Sequence, residues 1–246
     1  TGLILVCSIY LALVLAFLVL WWVGTLLAMT LFLLITVYHW GQADLAFETL
    51  LEKRLSRLPK ISRRWHALFR GSLPIGLPFL AFPLETEAFL VSCASGFGYS
   101  YELSSGLRLA ISIALLLLAV GEVYYLKNLP SRRGLTLIED LGLILFFLIV
   151  PPILAIGLYF CLWHGLRHVL RLLRYGKCAT APIGTLSGLK TFYIRALPFT
   201  LASLLIVAVV FLLAPGTSSP SQILGTYLVV ISSLTLPHLL VVEWMD

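Results

Sequence analysis

Charge is what this sequence has least of. Of its 246 residues 11% are Asp, Glu, Lys or Arg, 60% are hydrophobic, and the mean hydropathy is +1.02. A soluble domain carries about 25% charged residues, so a water-soluble globule is excluded. The apolar runs are long and unbroken rather than alternating. Backbone groups in lipid are then satisfied within helices, not in a barrel. The expectation is an all-α, polytopic transmembrane helix bundle, a single integral-membrane domain over 1–246.

Cysteine is scarce too. Cys7, Cys93, Cys161 and Cys178 show no CxxC spacing, and three lie in or beside apolar runs. That excludes a disulfide framework and a zinc knuckle. No basic leader precedes the first apolar run, which begins at once after Thr1, so it does not read as a signal peptide. The sequence reads as starting partway into a longer protein. The net charge of +6 implies no nucleic acid, because the basic residues sit in short segments between apolar runs, as the positive-inside rule expects. No internal repeat marks a transporter.

Gly2 to Tyr38 carries no charge and is about twice the ~20 residues one span needs. A break at Trp21-Trp22-Val23-Gly24 divides it, with both tryptophans at a membrane interface. The second helix ends in His39-Trp40-Gly41-Gln42-Ala43-Asp44. A basic loop follows, with Lys53, Arg54, Arg57, Lys60, Arg63, Arg64 and Arg70 on the cytoplasmic side. Trp65 to Leu84, interrupted by glycines and prolines, reads as one kinked helix. Glu85, Glu87 and Glu102 then belong to an outward loop. Further helices span Leu107 to Leu126, Leu135 to Val150, Ile153 to Leu173, Pro198 to Leu213 and Ile223 to Val242. Gly176 to Arg195 is a cytoplasmic connection with room for a short interfacial helix. The total is eight helices, multi-pass in the cell (inner) membrane, with the basic segments on one side at every turn.

The chain has five histidines. His164 and His168 lie four residues apart, so on a helix both rings leave one face where they can share a metal ion. Helix order and charge place His39, His164, His168 and His238 at one depth, in the cytoplasmic half of the membrane. Intramembrane ionisable groups are costly and usually functional. An all-nitrogen donor set suits iron, zinc or copper rather than calcium or magnesium. His66, beside Arg63 and Arg64, reads as a solvated loop histidine. Asp44 has two readings, a hydrogen-bond acceptor that orients a ligand imidazole or a polar helix terminus. Arg167 reads as snorkelling to the interface, and Glu139 and Asp140 as stabilising a helix N-terminus.

Counting removes some familiar chemistries. Residues 165 to 167 are Gly-Leu-Arg, so the pair is not HExxH. Five histidines are too few for the membrane di-iron desaturases. Ser95, in Cys-Ala-Ser-Gly, falls in the outward loop and makes no serine protease.

His39-Trp-Gly-Gln-Ala-Asp44, Tyr159-Phe-Cys-Leu-Trp-His164-Gly-Leu-Arg-His168 and Leu234-Thr-Leu-Pro-His238 together resemble the Brp/Blh family of membrane proteins. Glu139 and the Pro151-Pro152 turn support the resemblance, which spans essentially the whole chain. It implies oxidative cleavage of β-carotene at its central 15,15' double bond to two retinal molecules, by an iron-dependent dioxygenase using O2. It further implies Fe(II) held by His39, His164 and His168, with His238 as a fourth ligand. The lipid bilayer supplies the substrate, and a retinal-binding rhodopsin is the partner the product suggests. A family Pro-His-Gly motif followed by Asp is absent, and the topology leaves room for one preceding helix, so the sequence is expected to lack that N-terminal helix. The competing class is a non-catalytic carotenoid- or chlorophyll-binding subunit, whose histidines would be dispersed rather than convergent.

Overall fold

A computed structural model describes residues 2–95, 105–129, 131–173, 186–213 and 220–245. These form α1 (Gly2–Val23), α2 (Thr25–Leu51), a 3-10 turn (Lys53–Arg57), α3 (Lys60–Ala81) and α4 (Pro83–Ser95). After them come α5 (Ser105–Asn128), α6 (Arg133–Ile149), α7 (Pro152–Leu172), α8 (Leu186–Leu213) and α9 (Pro220–Met245). No strand occurs among the described residues. Among the described residues six helices are long and apolar enough to cross a membrane, or seven if the bent α3–α4 pair is one span. At 17 residues, α6 is at the short end of what spans a bilayer.

The bundle is inverted relative to a soluble protein. Large apolar side chains such as Leu15, Leu116, Leu145, Leu162 and Leu205 are exposed, while Asp44, Glu48, His66, Arg70, Glu122 and Asp140 are buried. Lipid is as apolar as leucine, so the outer surface loses nothing by facing it. Helices then associate through close packing and polar contacts.

The closest approach is between α2 and α3. A Cβ on Gly41 would stand 1.8 Å from the Ala67 carbonyl oxygen, and one on Gly71 would stand 1.8 Å from that of Val37. Glycine on each helix lets the two backbones touch, the small-residue packing of membrane helices. Phe17, Trp21, Ala28, Met29, Phe32, Phe79 and Leu90 fill the core among α1, α2, α3 and α4. Trp21 Nε1 donates to Ser232 Oγ at 2.7 Å and ties α1 to α9.

Several boundaries differ from the sequence reading. The break at Gly24 is present, but Trp21 is buried and only Trp22 is exposed. α2 runs on to Leu51, so Asp44 is internal and not a terminus. The two further turns, Leu45 to Leu51, can hold the helix, and with Asp44 and Glu48 paired to cations on other helices there is no reason to stop at Asp44. Trp65 to Leu84 is not one kinked helix. α3 and α4 meet at 109°, and Thr86 Oγ1 donates across the break to the Pro78 carbonyl at 3.0 Å. Pro83 opens α4, a position where its missing N–H costs nothing. Glu85 and Glu87 are therefore helical. Glu102 lies outside the described residues, as do Lys177 and Cys178. Among the described residues nine helices stand where eight were expected, the extra one being α4. α8 begins at Leu186 rather than Pro198, because Pro198 is accommodated inside the helix.

Candidate functional site

The four intramembrane histidines converge from three helices. His39 comes from α2, His164 and His168 from α7, and His238 from α9. The His39 ring centroid is 5.2 Å from those of both His164 and His238. His168 and His238 stand 5.6 Å apart, and His164 and His168 are 6.4 Å apart and nearly parallel. His39 and His164 are buried. The sequence reading placed them at one depth; helix packing places them in one cluster.

Local structure aims the rings. α7 is α-helical to Leu158, winds as a π-helix over Tyr159–His164, and resumes as α-helix from Gly165. The Gly165 N–H accordingly donates to the Phe160 carbonyl, five residues back. Such π-turns insert one residue and re-aim everything after it, and they recur at functional sites. A plain α-helix was expected here, and no residue pattern marks the π-turn. Pro237 sits inside α9 immediately before His238, where a missing N–H loosens the helix ladder.

Imidazoles bound to one ion at about 2.0–2.1 Å have ring centroids about 4.5–5.5 Å apart at angles of about 90–120°. Three of the four separations match or nearly match that range, and the His164–His168 pair is wider. As the rings stand, no group of three or more His, Cys, Asp or Glu side chains among the described residues is disposed to hold a metal ion. The centroids around His39 are at the required spacing, but the ring nitrogens are not gathered on a common point and the His164–His168 pair stands too far apart. Nδ1 of His164 and of His168 are buried without a hydrogen-bond partner among the described residues. Buried unpaired ring nitrogens in an all-imidazole set are what an absent cation of borderline softness would satisfy. The donor set fits a transition metal.

The sequence matches the model of the family described as Beta-carotene 15,15'-dioxygenase over residues 1–246. The chain belongs to the β-carotene 15,15'-dioxygenase family. It is 33% identical over 239 residues to "Probable beta-carotene 15,15'-dioxygenase Blh" of Halobacterium salinarum, covering 92% of this chain and 69% of that protein. No solved structure matches.

In this β-carotene 15,15'-dioxygenase family member, the histidines have aromatic neighbours. Trp40 and Phe160 lie 5.9 and 5.8 Å from the His164 ring. Trp40 also packs on Tyr159 at 5.0 Å, and Tyr159 on Phe147 at 5.5 Å.

The residues that sequence reasoning misread belong to a buried ionic cluster that joins α3, α5 and α6 to the histidine-bearing helices α2 and α7. His66 is fully buried, not solvated. Its Nδ1 is 2.8 Å from Glu122 Oε2 and its Nε2 is 3.1 Å from Glu48 Oε2, with Tyr125 stacked at 4.1 Å. Arg70 is buried too, although its sequence neighbours are loop cations. Its guanidinium reaches Asp140 at 2.6 Å, Glu139 at 3.2 Å, Glu48 at 3.4 Å and Asp44 at 3.5 Å. Glu139 and Asp140 thus pair with Arg70 rather than serving a helix end.

Arg167 does not snorkel. It pairs with Asp44 at 3.3 Å and Glu139 at 3.0 Å, and its guanidinium lies 3.8 Å from the Trp163 ring centroid and 5.0 Å from that of Phe47. Asp44 takes its contacts from Arg70, Arg167 and Trp163 Nε1, the last at 3.1 Å. None of these partners is a histidine. Asp44/Glu48 and His66/Arg70 are each four apart, which is the one signal that could have marked them as facing stripes on two helices.

Proposed function

We propose that this chain cleaves β-carotene at its central 15,15' double bond with O2, giving two molecules of retinal, at an Fe(II) centre held by His39, His164, His168 and His238 in a multi-pass protein of the cell membrane. The observation that carries the reading is the convergence of four imidazoles from three helices, with centroid separations of 5.2 to 6.4 Å. Family membership supports it, as does the activity in the name of the Halobacterium salinarum relative. Pigment-ligating histidines of a non-catalytic subunit would have no reason to meet.

The reaction adds one oxygen atom to each carbon of the double bond, so O2 is the only co-reactant. Fe(II), when bound, supplies dioxygen activation beside the alkene. Neutral imidazoles leave the ion its full charge and open positions. The chain's own part is to hold that ion out of water and present an apolar wall. Trp40 and Phe160 pack beside His164, and Phe160 is exposed on the apolar surface, where a flat conjugated hydrocarbon can approach. A substrate that partitions into lipid reaches a site inside the bilayer without crossing water.

The test expresses the natural full-length protein, and His39→Ala, His164→Ala, His168→Ala and His238→Ala variants, in β-carotene-producing bacteria supplied with iron. Retinal is measured by chromatography and iron in the purified protein by elemental analysis. The expected result is retinal and bound iron from the parent, with both lost in the variants. Persistent colour with carotenoid bound to folded parent protein would overturn the reading in favour of a pigment-binding subunit.

A further inference from the structure

We propose that Trp163, Arg167 and Asp44 form a clamp that sets how α7 presents His164 and His168 to His39 on α2, making all three positioning residues for the centre proposed above, on which this inference rests. Trp163 and Arg167 each precede one of the α7 histidines by a single residue. They form a second stripe on the helix, parallel to the histidine stripe and rotated from it by about 100°. On α2, Asp44 follows His39 by five residues, about 7.5 Å along the axis and about 140° around it. The two helices therefore meet in two rows, histidine to histidine and Trp163/Arg167 to Asp44.

The second row is specific in geometry. Trp163 Nε1 donates to Asp44 Oδ2 at 3.1 Å, while Arg167 Nη1 faces Asp44 Oδ1 at 3.3 Å, so one carboxylate is held at both oxygens by two residues of α7. Arg167 also lies over the Trp163 ring at 3.8 Å, closing a three-membered set. Its other arm reaches Glu139 Oε2 at 3.0 Å, and that oxygen is 3.2 Å from Arg70. Asp44 has 1% side-chain exposure, so these contacts act in a dry interior where geometry matters most.

The clamp also has a reason to exist. The π-turn over Tyr159–His164 leaves α7 with a looser ladder just where Trp163 and His164 sit, and the rotation of a π-turn is not fixed by backbone bonds alone. A planar indole and a planar guanidinium, both tied to one buried carboxylate, fix that rotation. A lysine at 167 could supply charge but neither the fork nor the stacking.

The test uses the natural full-length protein in lipid nanodiscs, metal-depleted and titrated with Co(II) as a coloured probe. Parent, Trp163→Phe, Arg167→Met and Arg167→Lys are compared, with melting temperature and retinal kinetics on iron-loaded samples. Trp163→Phe keeps an aromatic ring beside Arg167 and deletes the N–H donor together with one ring of the indole. It is expected to bind Co(II) about 10-fold more weakly, the lower end of the loss seen when a direct partner of a metal ligand is removed, because Trp163 acts through the helix and not on a ligand ring. A shifted visible band and a lower kcat at parent KM are expected with it. Arg167→Met should lose at least as much, and Arg167→Lys should recover part. Folded Trp163→Phe with parental Co(II) affinity and spectrum would overturn the clamp, and this mild variant decides should Arg167→Met fail to fold. A parent that binds no Co(II) would instead overturn the metal centre itself, and the clamp with it.

Discussion

The glycine contact between α2 and α3 invites the most direct test of the packing. Replacing Gly41 with alanine places a Cβ 1.8 Å from the Ala67 carbonyl oxygen, where real Cβ atoms keep at least 3.0 Å. The obstacle is backbone, so no side chain can swing aside, and the helices must part by about 1.2 Å or more, an overpacking that costs about 1–3 kcal/mol. The same opening stretches the contacts across that crossing, which include His66 to Glu48 at 3.1 Å and Arg70 to Glu48 at 3.4 Å. Loosening buried ionic contacts adds to the loss, so about 3 kcal/mol is a fair expectation, and for a chain of this size about 6–12 °C in melting temperature. His39, two residues before Gly41, moves with α2, so retinal yield should fall as well. Gly142→Ala is the matched control, since a Cβ there meets nothing within 4 Å. Thermal unfolding in nanodiscs and retinal chromatography on both variants check this. Equal melting temperatures and equal retinal yields for the two would refute the close-crossing argument.

Other perturbations have equally definite outcomes. Arg70→Met leaves four carboxylates near one another in the interior, three of them at 8% exposure or less; a loss of about 3–5 kcal/mol is expected, read as failure to fold or a sharply lowered melting temperature. Trp21→Phe removes the Nε1–H that Ser232 Oγ accepts, leaves Ser232 its own bond to the Val229 carbonyl at 2.8 Å, and vacates part of a fully buried site, which together should cost about 1–3 kcal/mol and lower the melting point without changing retinal yield. Treating the purified protein with a chelator strong for transition metals should abolish retinal formation, with Fe(II) restoring it and Mg(II), which prefers oxygen ligands, not doing so. Assays with each ion after buffer exchange check this.

Composition was enough to establish a membrane bundle, because so little charge on so many residues leaves no way to face water. Helix order and the placement of basic residues were enough to put His39, His164, His168 and His238 at one depth, since each crossing reverses direction and depth simply counts along it. The motifs around those histidines were enough to reveal the family. Depth is one coordinate, however. Whether four rings at one level meet or point apart depends on helix rotation and neighbour order. Here those follow from the Gly41–Gly71 crossing, the π-turn in α7 and the contact of α9 with α1 and α2.

His66, Arg70 and Arg167 mark the opposite limit. Each stands among basic residues or near a helix end, and a cation in that setting has the same local sequence whether it reaches water or a buried carboxylate. What separates the two cases is the set of acids on other helices, Glu48, Glu122, Glu139, Asp140 and Asp44, between 18 and 123 residues away along the chain. A charge is stable inside a membrane only when its partner is already there, and that partner is supplied by tertiary structure alone.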